Sequence, residues 1–208
     1  MLQSNSSNAI YQAYWKVKTR LEAVSPEPGC KVLTITSVES GEGKSTTAVN
    51  LATAYAENGK HVLLVDANLR NPVIHKLLGL SNRSGLTNVL FEQADSETLV
   101  RTTGMNNLDV ITAGPPTDNP VGLLATGRMD AVASRLRSNY DLIILDSPAA
   151  AIKTDAHILA SVSDGVLLVV KQGRVKQEKL RKVTGELEKI NAPIIGVLMN
   201  QVNLKTAQ

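Results

Sequence analysis

Residues Thr34 to Thr47 read T-I-T-S-V-E-S-G-E-G-K-S-T-T. The run Val32 to Thr36 is short, apolar and β-branched, so it reads as a strand. Ala48, Leu51, Ala52 and Tyr55 repeat at helical spacing, and Asn58-Gly59 supplies a stop, so a helix follows. Between strand and helix lies Gly41-Glu42-Gly43-Lys44-Ser45. Glycines let successive backbone N–H groups turn toward one point without a Cβ clash, and a helix N-terminus adds partial positive charge there. Lys44 supplies a cation for β- and γ-phosphates, and the Ser45 hydroxyl is a ligand for Mg2+. The usual phosphate-loop pattern begins with a glycine where this chain has Val38, so only its tail, G-x-G-K-S-T, is met. Taken alone, such a stretch can also be a glycine-rich turn with a surface lysine.

Two further strand ends decide between these readings. Val62-Leu63-Leu64-Val65 runs into Asp66-Ala67-Asn68-Leu69-Arg70, and Leu142-Ile143-Ile144-Leu145 runs into Asp146-Ser147-Pro148. A strand-terminal Asp is often only a cap or a turn residue. Three such ends on one sheet edge form a ligand crevice, and an apolar strand ending in Asp has the form of a Walker B segment whose carboxylate holds Mg2+. Val166 to Val170, Ile194 to Leu198 and, more weakly, Leu108 to Thr112 complete the set of apolar runs. Strands apolar on both faces belong to a parallel sheet covered by helices on each side. The expected fold is therefore one α/β domain with a doubly wound, mainly parallel sheet of the P-loop NTPase class with a deviant Walker A loop. The expected ligands are ATP and Mg2+, seated above Ser40 to Thr46.

The rest of the chain bounds this picture. Of 208 residues, 43% are hydrophobic and only 3% aromatic, so the core must be aliphatic. A net charge of +3 is too weak to argue for nucleic acid, and one cysteine, Cys30, permits no internal disulfide and supplies no cluster ligands. No apolar stretch reaches the length of a bilayer span, and the opening residues do not read as a signal peptide, so no direct membrane insertion is expected. Residues 1–9 read as a disordered segment and residues 10–208 as the domain. Within it, Ile10, Ala13, Tyr14, Val17, Leu21 and Val24 form one helical face, with Lys16, Lys18 and Arg20 expected away from it. Ser25 to Gly29 reads as a linker. Leu180, Val183, Leu187 and Ile190 form a late helical face, and the basic run Lys171, Arg174, Lys176, Lys179, Arg181 and Lys182 reads as its solvated side or as a dock for an acidic partner. His61, His75 and His157 lack metal-ligand spacing, and Asp155 reads as a helix cap.

With these residues in hand, the chain resembles the bacterial tyrosine kinases of capsule and exopolysaccharide synthesis, from about residue 10 onward. S-G-E-G-K-S-T-T-A-V-N-L-A resembles the family's Walker A segment, V-L-L-V-D-A-N-L-R-N-P-V-I-H its Walker A′, and Y-D-L-I-I-L-D-S-P its Walker B. G-L-T-N-V-L, N-L-D-V-I-T-A-G and N-P-V-G-L-L match its middle, and G-V-L-M-N its last strand. The resemblance implies that Ser40, Gly41, Glu42, Gly43, Lys44, Ser45 and Thr46 cradle the phosphates. It implies that Ser45, Asn68 and Asp146 organise Mg2+, that Asp66 accepts the proton of the incoming hydroxyl, and that Lys44, Asp66 and Asp146 form the catalytic group. Arg70 would stand near the developing charge and Asn200 near the adenine. It further implies a cytoplasmic protein that works at the inner face of the membrane beside a chain-length regulator, whose cytoplasmic tail activates it, and that assembles as a homo-oligomer.

Three departures qualify the match. Asn68 stands where the family has a second Asp. The tail Val202 to Gln208 contains no tyrosine, so tail autophosphorylation is not expected. Gln12, Trp15 and Lys18 replace one acidic and two arginine positions of an assembly motif, and lysine does not reproduce a bidentate arginine. Other functions compatible with the same loops are a nucleotide-dependent interaction module that controls chain length by association, and a Min/Par-type partition ATPase. The latter carries an early loop lysine where this chain has Glu39, and a basic amphipathic helix that is not evident here.

Overall fold

A computed structural model describes residues 9–24, 31–92, 94–125 and 127–202. The opening polar segment, the Ser25 to Gly29 linker, Cys30 and the tail beyond Val202 lie outside the described residues. In chain order the elements are α1 (Ala9–Val24), β1 (Val32–Ser37), α2 (Lys44–Glu57), β2 (Val62–Asp66), α3 (Ile74–Leu78) and α4 (Leu86–Leu90). Then come β3 (Arg101–Thr102), β4 (Leu108–Ile111), α5 (Pro120–Leu124), α6 (Arg128–Leu136), β5 (Leu142–Asp146), α7 (Asp155–Ser161), β6 (Gly165–Lys171), α8 (Gln177–Lys189) and β7 (Ile194–Asn200).

The seven strands lie in the order β3-β4-β2-β5-β1-β6-β7. Every pairing is parallel except β3 with β4. Because side chains alternate across a strand, the continuous apolar runs divide between two cores. Leu33, Ile35, Leu64, Ile144 and Leu167 pack with α2, α3 and Leu21 of α1 on one face. Leu63, Val65, Ile143 and Leu145 pack with α4, α5 and α6 on the other, where Val166, Leu168 and Val170 meet α7 and α8. Winding from β1 runs outward through β2 to β4, while β5, β6 and β7 run the opposite way. The reversal opens a crevice at the C-terminal ends of β2, β5 and β1, the position at which doubly wound sheets bind ligands.

Threonine inside β1 is tolerated because its hydroxyls are satisfied. Thr34 Oγ1 donates to Leu159 O at 3.2 Å, and Thr36 Oγ1 donates to Pro148 O at 2.8 Å. α5 starts where Asn119 Oδ1 accepts from Gly122 N at 2.9 Å, with Pro120 in the first turn.

The N-terminal helix departs from its expected face. Tyr14, Lys18 and Leu21 are its buried residues, while Ile10 and Val24 are exposed. Lys18, expected among the solvated cations, is 5% exposed. Its Nζ donates to Glu22 Oε2 at 2.8 Å and lies 5.4 Å from the Trp15 ring centroid and 5.6 Å from that of Tyr55. The lysine stem is long enough to cover apolar surface while its charge is met by Glu22 and by ring faces. α1 lies on α2, and Tyr14 Oη stands 3.4 Å from Thr47 Oγ1, one turn beyond the loop lysine.

Candidate active site

β1 delivers the chain to a loop that turns twice through left-handed backbone. Gly41 has φ 79° and Gly43 φ 88°. At Gly43 space also demands glycine, since a Cβ there would lie 2.2 Å from Asn200 Nδ2. That same Nδ2 donates to Glu42 O at 2.9 Å, so the end of β7 ties down the loop. Glu42 itself is fully buried, and its carboxylate is taken up by backbone amides of the protein. Its Oε2 accepts from Glu39 N at 2.6 Å and its Oε1 from Lys171 N at 3.0 Å. The expectation of Glu42 at the phosphates is thus corrected for its side chain, which braces the loop against β6. Thr46 is exposed on the first turn of α2, away from the crevice lining.

Ser40, Gly41, Lys44, Ser45, Asn68, Arg70, Ile152 and Lys153 are among the residues lining a cleft of 320 Å3. Lys44 is 8% exposed and forms no ion pair among the described residues. Asn68 turns its amide to the chain ahead: Nδ2 donates to Asn71 O at 3.1 Å and Oδ1 accepts from Asn71 N at 3.3 Å.

Asp66 and Asp146 are register partners on neighbouring strands, both fully buried. Asp66 Oδ2 accepts from Val73 N at 3.1 Å and Ile74 N at 3.0 Å, which fixes the start of α3. Its Oδ1 and both oxygens of Asp146 lack a hydrogen bond of good geometry, the Ser45 hydroxyl being the donor nearest to Asp146 in effect. Burial, and then the charge of Asp146, push the Asp66 pKa up to about 7. Burial pushes Asp146 up to about 6, against the opposing pull of the Ser45 hydroxyl and the Lys44 ammonium. Two unmatched carboxylate oxygens beside a serine hydroxyl are a fit for a hard divalent cation, which favours oxygen donors. Among the described residues no three His, Cys, Asp or Glu side chains converge as a metal cage. A cation here would complete its shell from phosphate oxygens and water.

Arg70 reaches the rim of the cleft and is held there. Its Nε donates to Asp155 Oδ1 at 3.3 Å and Oδ2 at 3.1 Å, and Asp155 is 1% exposed. Asp155 was expected to cap a helix. It instead occupies the first position of α7 and serves as the anchor of Arg70. Sequence reasoning also missed Lys153, an exposed lysine in the turn after β5 that adds a third cation to the lining.

A profile described as AAA domain matches residues 30–198. Tyrosine-protein kinase YwqD of Bacillus subtilis is 38% identical over 200 residues, covering 96% of this chain and 84% of that protein. The chain belongs to the bacterial tyrosine kinase family. The kinase domain of the Escherichia coli tyrosine kinase ETK superposes with a TM-score of 0.93 at 27% identity, over 99% of this chain and 80% of that one. The wider fold class is visible in the Pyrococcus horikoshii septum site-determining protein MinD, solved with Mg-ADP. It has a TM-score of 0.71 at 26% identity, over 81% of this chain and 69% of that one. As a family member, the chain keeps the parallel sheet and the crevice at its strand ends.

Proposed function

We propose that this protein is a Mg2+-dependent kinase that moves the γ-phosphoryl group of ATP to tyrosine hydroxyls of partner proteins. The observation that carries the reading is Asp146, a fully buried carboxylate at a strand end whose oxygens meet no partner beyond the approach of the Ser45 hydroxyl. The amides around Gly41 and Gly43, with Lys44, would hold the β- and γ-phosphates, and Asn200 would lie toward the adenine side. Ser45 and Asp146 would hold Mg2+, with Asn68 orienting its water. When bound, the cation neutralises charge on the phosphate oxygens.

Asp66 is suited to take the phenolic proton, since a pKa of about 7 lies near working pH. The tyrosine oxygen then bonds to the γ-phosphorus as the bond to the β–γ bridging oxygen breaks, and ADP leaves with that electron pair. Arg70, positioned by Asp155, faces the developing charge from the rim. We place the protein in the cytoplasm, recruited to the inner face of the membrane by the tail of a chain-length regulator, in capsule or exopolysaccharide synthesis. Among the described residues no helix is long and apolar enough to cross a membrane. Homo-oligomerisation through α1 would use Gln12 and Trp15, which line a shallow hollow. Lys18 is engaged within its own chain.

The test is phosphotyrosine formation on a polysaccharide-pathway protein with Mg-ATP, comparing the native chain with Lys44→Met. The variant should keep its circular dichroism and lose about tenfold or more in ATP affinity, because a charge-assisted contact to phosphate is removed. Unchanged ATP affinity, or no phosphotyrosine from the native chain even with the regulator's tail present, would refute the proposal.

A further inference from the structure

Beside the cleft at Lys44 lies a second groove of 380 Å3, between the turn after β5 and α8. The two share Ser40 and Ile152 as walls, and Ile152 stands 54% exposed on the divide. Arg174, Lys179 and Lys182 line the groove on the α8 side, with Val183 beneath them. Val183 and Leu187 hold α8 to the sheet, so its lysines are left to solvent: Lys179 is 57% exposed and Lys182 76%.

The groove already shows a taste for carboxylate. Glu39, from the base of the phosphate loop, turns into it and pairs with both Lys179 and Arg174. Its carboxyl is held below the usual range, first by the Lys179 hydrogen bond and then by the Lys179 charge. Lys182 has only a loose 3.9 Å approach to Glu186, which lines the groove with it. Three lining cations, Arg174, Lys179 and Lys182, face two lining carboxylates, Glu39 and Glu186, and this excess is a field that attracts acidic ligands and orders them along the groove.

We infer that this groove docks an acidic segment flanking the acceptor tyrosine. The inference rests on the phosphotransfer reading for which residue enters the neighbouring cleft, and on the groove alone for charge preference. An extended acidic chain would lie along α8 and cross Ile152, which would deliver the tyrosine ring over an apolar edge toward Lys44 and Asp66. A bilayer surface is the other anionic partner that these cations could meet. A concave site with an apolar floor and a wall shared with the phosphate cleft suits an inserted chain, not a broad sheet of headgroups.

The probes are two fluorescein-labelled peptides, a tyrosine flanked by glutamates and its glutamine counterpart. They are tested on the full chain, on Lys179→Ala/Lys182→Ala, and on Lys182→Ala, which leaves the Glu39 contact intact. Binding is read by anisotropy without ATP, and phosphorylation by initial rates. The glutamate peptide should bind the native chain more tightly than the glutamine peptide. The double variant should weaken it by about tenfold and the single variant by about threefold, as expected for exposed charge pairs. The same factors should appear in KM and not in kcat, with the thermal shift on adding ATP unchanged. Equal binding of both peptides, or unaltered binding by the double variant, would overturn the docking site. Phosphorylation of both peptides without charge preference would overturn it while leaving the kinase reading standing. Charge-selective binding without any phosphate transfer would support the dock and sink the kinase reading. Loss of phosphatidylserine-vesicle association with peptide binding intact would assign the surface to lipid and refute the proposal.

Discussion

Replacing Asp146 by asparagine should stabilise the ligand-free protein at alkaline pH while removing its response to Mg2+ and ATP. The carboxyl has a pKa of about 6 in the fold against a reference of 3.8. In acid, below the lower value, it is neutral in both the folded and unfolded chains and costs nothing. Between the two values the unfolded chain releases the proton while the folded chain retains it, so stability falls as pH rises. Above about 6 the full penalty is present, about 3 kcal/mol. Asparagine carries no charge at any pH and escapes this penalty, though its own unpaired amide takes back about 1 kcal/mol or more. The neighbouring Asp66 gains as well, since part of its elevated pKa comes from the Asp146 charge. Net stabilisation at about pH 8 should be about 1–3 kcal/mol, or several degrees in Tm for a domain of this size. It should vanish or reverse near pH 4. Thermal melts at both pH values, with and without Mg-ATP, measure the difference. A variant less stable than the native chain at pH 8, or a gain that is the same at both pH values, would refute the account of Asp146 as an unmatched buried charge.

Two further outcomes follow from the same geometry. Gly43→Ala should cost about 1–3 kcal/mol in urea melts and abolish ATP binding in a fluorescent-nucleotide assay, because a left-handed φ and a 2.2 Å approach to Asn200 both oppose a side chain. The Arg70–Asp155 pair should respond unevenly. Arg70→Ala leaves a carboxylate that is 1% exposed without its partner and should cost about 2–4 kcal/mol. Asp155→Ala leaves an arginine already 28% exposed, able to turn to water, and should cost about 1 kcal/mol in the same melts.

Much of this architecture could be read in the sequence because its central strands are apolar on both faces. Val62–Asp66 and Leu142–Asp146 each announce a covered strand and a carboxylate at its end, and register then sets those carboxylates side by side. β3 was invisible because a two-residue strand, Arg101–Thr102, has no period to detect. α3, α4 and α5 have five residues each, too few for a helical stripe to stand out. Lys18 escapes a reading in which charge means solvent, because its ammonium is met by Glu22 and by the ring faces of Trp15 and Tyr55. Glu42 was assigned with its loop, but a side chain's direction depends on the φ of its neighbours and on what β6 offers it. The Arg70–Asp155 contact joins residues 85 apart in the chain, and no local pattern encodes such a meeting.

The clamp on Glu42 bears on how the protein would meet its ligand. Two backbone amides fasten its carboxylate, and Asn200 fastens its carbonyl. A receptor laced to its scaffold in this way loses little disorder on capture, so its association should need no slow ordering step. Selectivity then falls to departure, and nucleotides that fill the bend poorly are discarded by quick release rather than by slow entry.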